Sequence, residues 1–303
     1  MLGWGAARSG AGHPARSPLQ PGRERTLRSM ILSPGLSAAS LLPLAATSIV
    51  ALLAYLVAAF RREATWLGVV LAVGWIGHGL AIGLHAAGVG EAQPGARFGF
   101  APALSVTLWL VLAVYAIESR FVPLAGVRRT LAVLGAAAVV LTLVFPGELR
   151  PHAGSPWAPL HWILGIASYG LFGTALLHAA LLRRAEQRLR SKPAAGEAPR
   201  VPSPGLPLLR LEKLTFRFVA AGFVVLSATL LLGWWFSSPW RWDHKSVFSV
   251  LAWGVFAALL AGRRAFGWRG RLATRWLYVG AGLLLLAYVG SRFVLEVVLH
   301  RTA

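Results

Sequence analysis

Eight stretches of the chain are apolar over about the length that a helix needs to cross the hydrocarbon core of a bilayer, roughly 20 residues. They run over 38–60, 66–88, 101–119, 124–145, 160–182, 216–236, 246–262 and 273–299. The seventh is the shortest. The eighth is longer than a bilayer requires and carries Arg292 and Glu296. This pattern predicts an all-α fold, a polytopic membrane bundle of eight transmembrane helices spanning residues 36–300.

The polar connections alternate in charge. Lys and Arg number two, three, nine and five in the first, third, fifth and seventh connections, and one, one and two in the second, fourth and sixth. Short cytoplasmic loops of membrane proteins carry the excess of Lys and Arg. The odd connections are therefore expected in the cytoplasm, and the even connections and both mature termini outside. Residues 184–213, rich in Pro and Arg, read as a flexible cytoplasmic loop that divides the helices into five plus three. Residues 1–29 conflict with this topology, because they hold five Arg and would lie outside. They lack apolar periodicity and are expected to be disordered. One reading takes Met30 as the true start; the other keeps a basic tail that stays cytoplasmic.

Composition narrows the class. Hydrophobic residues make up 56% of the 303 residues, charged residues 13%, and the mean hydropathy is +0.63. A soluble enzyme is excluded, and nothing in the pattern points to nucleic acid; the surrounding medium is the lipid bilayer. There is no cysteine. Disulfides, iron–sulfur clusters, thiolate zinc sites and covalent haem attachment through C-x-x-C-H are thereby excluded. No nucleophile motif, phosphate loop or metalloprotease pattern is present.

Ionisable groups at membrane depth are costly and default to functional roles. His78 and His85, seven residues apart, share one face of the second helix. His161 opens the fifth helix and His244 the seventh. His178 lies near the cytoplasmic end of the fifth, where it reads as an interfacial residue beside Arg183 and Arg184; His152 and His300 read the same way outside. Imidazoles without thiolates suit zinc, copper or haem iron. Haem also needs an apolar, aromatic wall. The connection before the seventh helix supplies one in Trp234, Trp235, Trp240, Arg241, Trp242, Asp243, His244 and Lys245. The expected site places His161 and His244 as iron-ligand candidates in one cavity. Trp234, Trp235, Trp240 and Trp242 would roof it, and His78 and His85 would approach from below. Arg241, Lys245 or Arg292 would face the carboxylates of the ligand. An ion pair between Arg292 and Glu296, four residues apart, is the simpler reading of those two.

The segment Trp240-Arg241-Trp242-Asp243-His244-Lys245, followed by Ser246-Val247-Phe248, resembles the tryptophan-rich segment of the cytochrome c assembly family, which includes CcsA, CcmC and HemX proteins. His161 with Ser168-Tyr169-Gly170, and His78-Gly79 with Phe98-Gly99-Phe100, resemble other segments of its HemX-like inner-membrane branch, the YpjD branch. Where CcsA proteins have Glu after the Lys, this chain has Ser246. The resemblance implies a bacterial inner-membrane protein that binds haem (b-type, non-covalent) near the outer face. It would act as an assembly factor, with an apocytochrome or another membrane subunit as partner. A non-haem scaffold, or a subunit of a membrane transport complex, is the alternative.

Overall fold

The computed structural model describes residues 38–61, 65–90, 96–119, 127–150, 157–190, 208–236 and 242–299. Eight helices are long and apolar enough to cross a membrane. In lipid every backbone N–H and C=O must be satisfied within the segment, so long apolar runs have no alternative to the helix. These are α1 (Ala38–Phe60), α2 (Leu67–Ala86), α3 (Phe100–Glu118), α4 (Val127–Val144), α5 (Ala158–Arg190), α6 (Leu208–Phe236), α7 (His244–Phe266) and α8 (Gly270–Val298). The protein is a multi-pass all-α membrane bundle. With eight crossings, the connections after α2, α4 and α6 share one end of the bundle, here the even end. Those after α1, α3, α5 and α7 share the odd end.

Two helices outrun their expected lengths. The hydropathy pattern places the end of α5 at 182 and the start of α6 at 216, but α5 continues to Arg190 and α6 begins at Leu208. Hydropathy marks the thickness of the bilayer, whereas the helix continues as long as its residues favour it. Leu, Arg, Glu, Gln and Lys, which fill most of both extensions, are all good helix formers. Much of the expected 184–213 loop is therefore helical; its middle, 191–207, lies outside the described residues, as does the tail with Met30.

Packing divides the helices four plus four. One core joins α1, α2, α3 and α4 through Tyr55, Leu71, Leu112, Leu131 and Val139. The second joins α5 to α8 through Phe172, Val219, Phe256, Leu259 and Leu277. The long connection falls after α5, whereas the packing boundary falls after α4, because a long connection does not decide which helix faces pack. A smaller cluster of Phe100, Ala101 and Val289 bridges the halves.

Small residues set the close approaches. The Tyr55 ring is fully buried, and a Cβ on Gly74 or Gly135 would come within 3.0 or 2.9 Å of it. Trp75 of α2 and Trp109 of α3 stack at 4.8 Å, and each indole N–H donates to the other's backbone carbonyl at 3.0 Å. Both indole donors are thus satisfied at membrane depth.

At the odd end, His178 is fully buried rather than interfacial. Its Nδ1 donates to the Thr174 carbonyl at 2.9 Å, its Nε2 lies 2.9 Å from Glu118 Oε2, and Phe218 stacks on the ring. Position along a helix gave its depth but not the direction it faces. The pair ties α3 of one half to α5 of the other. At the even end, two short strands absent from the sequence expectation pair antiparallel: β1 (Ala96–Phe98) and β2 (Glu148–Arg150).

Candidate functional site

A cavity of about 490 Å³ lies between the two halves, with residues of all eight helices in its wall. The volume falls within the range typical of small-molecule and cofactor sites. The α2 face that carries His78 also carries Ala81, Ile82 and His85 at helical spacing, and all four line the cavity. From α5 come His161, Trp162, Gly165, Ile166 and Tyr169; from α6, Leu226, Thr229, Leu230 and Gly233. The wall is apolar with isolated polar groups, and its charged side chains are Arg97, Asp243, Lys245 and Arg292.

The three histidines differ in what their nitrogens do. His78 is buried, with Nδ1 3.2 Å from the Tyr55 hydroxyl and Nε2 2.7 Å from Ser105 Oγ. Both nitrogens serve a chain of hydrogen bonds linking α1, α2 and α3. His161 Nδ1 donates to the Thr229 carbonyl at 3.1 Å, and His85 Nδ1 donates to the Ala81 carbonyl at 3.2 Å. A carbonyl only accepts, so in the neutral ring each of these contacts fixes the proton on Nδ1 and the lone pair on Nε2. That tautomer, oriented by a backbone carbonyl, is the one in which imidazole binds a metal. Gly233 makes room for His161: a Cβ there would stand 2.9 Å from Cε1 and 3.3 Å from Nδ1. Glycine ahead of Trp234 and Trp235 is thus a packing requirement of the imidazole.

α8 shapes the opposite wall. Its regular turn gives way to wider π turns at Leu286–Gly290 and Val294–Val298, with a single α turn, Ser291–Phe293, between. The Tyr169 hydroxyl donates to the carbonyl of Leu284 just before the first π turn. Such turns disturb the regular ladder and recur at functional sites. Leu284, Tyr288 and Arg292 all line the cavity. Arg292 is 3% exposed, and its Nη1 lies 3.3 Å from Glu148 Oε2 on β2. The expected partner, Glu296, has its carboxylate oxygens beside Gly99 instead, where a Cβ would meet both at 3.0 Å. The pairing four residues apart is the expectation of an α-helix, and the intervening π turn changes that register.

His244, Trp234, Trp235 and Trp242 are exposed and are not among the residues lining the cavity. Of the four histidines expected around one cavity, His161, His78 and His85 line it and His244 does not. His244 is the first residue of α7, immediately after the cap, and its side chain stays at the surface. Asp243 Oδ1 accepts from the Ser246 N–H at 2.8 Å, which satisfies one of the donors left open at the start of the helix. Burial raises the pKa of this carboxyl, but the Ser246 hydrogen bonds and the charges of Lys245 and His244 outweigh it and hold it below its ordinary 3.8. Lys245, two residues on, turns inward and lies 5.9 Å from the centre of the Tyr288 ring. Trp240 and Arg241 lie outside the described residues. Tyr169, read in the sequence only as part of the Ser168-Tyr169-Gly170 segment, and Tyr288 line the cavity. Glu148 and the Thr229 carbonyl had no sequence signal of their own, and only the fold brings them to Arg292 and His161.

Among the described residues no three His, Asp or Glu side chains converge as ligands for a metal ion. The donor set is one of separated imidazoles in an apolar wall, and it fits an axially ligated macrocycle better than a tetrahedral ion site.

The chain is 31% identical over 166 residues to the inner membrane protein YpjD of Escherichia coli (strain K12), covering 53% of this chain and 60% of that protein. It is 31% identical over 118 residues to the cytochrome c biogenesis protein CcsA of Synechococcus sp. (strain JA-2-3B'a(2-13)), covering 35% of this chain and 33% of that one. It is 28% identical over 215 residues to an uncharacterized 28.8 kDa protein of Azospirillum brasilense, covering 65% and 76%. The chain thus spans less than two thirds of the length of YpjD and about a third of that of CcsA. No solved structure matches it. Residues 95–299, which include β1, β2 and the whole of α3 to α8, match the family described as cytochrome C assembly protein, and the chain belongs to that family.

Proposed function

We propose that this membrane protein binds haem non-covalently in the cavity between its two halves and positions it near the even end of the bundle, on the outer face. The observation that carries this reading is the convergence of His161, His85 and His78 in one apolar cavity of about 490 Å³. His161 and His85 hold their protons on Nδ1 and would ligate through Nε2. His78, with both nitrogens engaged, holds α1, α2 and α3 around the site. Arg97, Lys245 and Arg292 supply positive charge where haem carries its propionates. Bound haem supplies a redox-active iron. The chain's own groups bind and orient it and keep water away. The chain turns nothing over in this reading, and its partners are an apocytochrome or another membrane subunit of assembly. Trp234, Trp235 and Trp242 serve as exposed surface beside the site rather than as its roof.

The absorption spectrum of the detergent-purified protein tests this. A Soret band that shifts on reduction is expected. His161→Ala should remove or broaden it, His85→Ala should change the spin state, and His244→Ala should leave it in place. Absence of the band from the parent protein after haem addition, or its loss in His244→Ala alone, would overturn the reading.

A further inference from the structure

Arg292 is the most deeply buried charge in the cavity wall, and its partnering is incomplete. It is 3% exposed, and among the described residues it contacts one carboxylate, through Nη1, at 3.3 Å. Its Nε is buried without a hydrogen-bond partner among those residues. A guanidinium offers five N–H donors and binds a carboxylate best through two of them at once. A buried donor left unpaired is unfavourable, and the residue that carries it lines the cavity. Arg292 Cζ lies 6.0 Å from the centre of the Tyr288 ring, and Lys245 Nζ lies 5.9 Å from the same centre. Two cations thus attend one phenol ring in the cavity wall.

We propose that Glu148 keeps a place on Arg292 that a carboxylate of the ligand takes when it enters the cavity. The incoming carboxylate engages Arg292 through Nε and a terminal nitrogen, a second carboxylate lies toward Lys245, and Glu148 is released toward the even end. Charge is conserved in the exchange, since one carboxylate replaces another at the same buried cation. A neutral ligand of the same shape cannot make it. The cavity therefore selects apolar ligands that carry carboxylates over their uncharged analogues. This rests on the haem reading for the identity of the ligand, but the selection itself does not need iron.

Protoporphyrin IX and its dimethyl ester separate the two. Both lack iron, so neither depends on His161 or His85 for binding, and both are followed by porphyrin fluorescence with the full chain in detergent. The parent protein should bind the diacid at least about tenfold more tightly than the ester. Glu148→Gln removes the competing charge and should widen that preference by several-fold, with ester binding unchanged. Arg292→Lys, which keeps the charge and loses the fork, should narrow it. Equal binding of diacid and ester by the parent protein overturns the proposal. So does a Glu148→Gln protein whose affinities for both ligands move together or not at all. A diacid preference that responds to Glu148→Gln supports it even where added haem gives no Soret shift, an outcome that would sink the iron-ligation reading alone.

Discussion

The imidazole of His161 on α5 is fastened through Nδ1 to the backbone carbonyl of Thr229 on α6, 3.1 Å away. Four residues along α6, Gly233 packs closest to Cε1 of the same ring. The ring is therefore held by the backbone of the neighbouring helix at two points, one turn apart. Gly233→Ala should displace it without removing any ligand atom. Haem affinity is expected to fall about 10- to 100-fold, as for the loss of groups that orient a metal-binding His. Haem titration checks this; an unchanged dissociation constant would show that His161 is not a ligand.

The His178–Glu118 contact makes a stability prediction. Removing one partner of a buried pair leaves the other uncompensated, at a cost of about 3 kcal/mol or more. Glu118→Gln keeps the side chain's shape and a hydrogen-bond partner for Nε2, whereas His178→Ala empties the site of a fully buried ring, so His178→Ala is expected to cost more than Glu118→Gln. Replacing both by apolar residues, as in His178→Phe with Glu118→Leu, should cost less than either alone. Thermal unfolding in detergent ranks the four proteins; a double variant less stable than both singles would contradict the argument.

Asp243 sets a pH dependence at the start of α7. Folding holds its carboxyl below the ordinary value of 3.8. Its stabilisation is therefore present in full above that value and is lost as pH falls through the lower folded one. Around neutral pH, Asp243→Ala should cost about 1 kcal/mol, the usual worth of such a cap, and Asp243→Asn much less. The difference between parent and Asp243→Ala proteins should vanish toward the acid end of the titration, below the folded value. Amide exchange at Ser246 and Val247, followed against pH, reads it directly.

Orientation in the membrane follows from the charge of the connections. Alkaline phosphatase fused after residue 200 should be inactive, and fused after residue 240 active, with the odd end in the cytoplasm. The reverse pattern would place the cavity at the cytoplasmic face and remove the proposed role at the outer one.

The eight spans were legible in the sequence because the bilayer imposes a length on apolar segments that no tertiary contact can override. The extensions of α5 and α6 were not, because residues such as Arg188 and Glu212 lower hydropathy without disfavouring a helix. His78 and His85 could be placed on one face from their spacing of seven. That the same cavity is shared by His161, and not by His244, depends on how helices distant in sequence are rotated against each other. Glu148 shows the limit most sharply. It sits on a three-residue strand too short to carry a pattern, and its contact with Arg292 spans 144 residues. The nearer acid, Glu296, looked the natural partner only on the assumption of a regular helix.

Those π turns of α8 have a genetic consequence. A π turn holds one residue more than the α register uses, so it absorbs an insertion that would otherwise turn everything downstream by about 100°. Deleting a single residue within Leu286–Gly290 would let α8 close into regular turns with the stretch beyond it still facing as before. The same deletion within the regular stretch Gly270–Leu285 would instead turn Arg292 out of the cavity wall although neither it nor Glu148 had been touched. Point substitutions along that stretch change side chains one at a time, whereas a one-codon deletion there re-aims all that follow. The facing of Arg292 is thus encoded in a count of residues as much as in their identities.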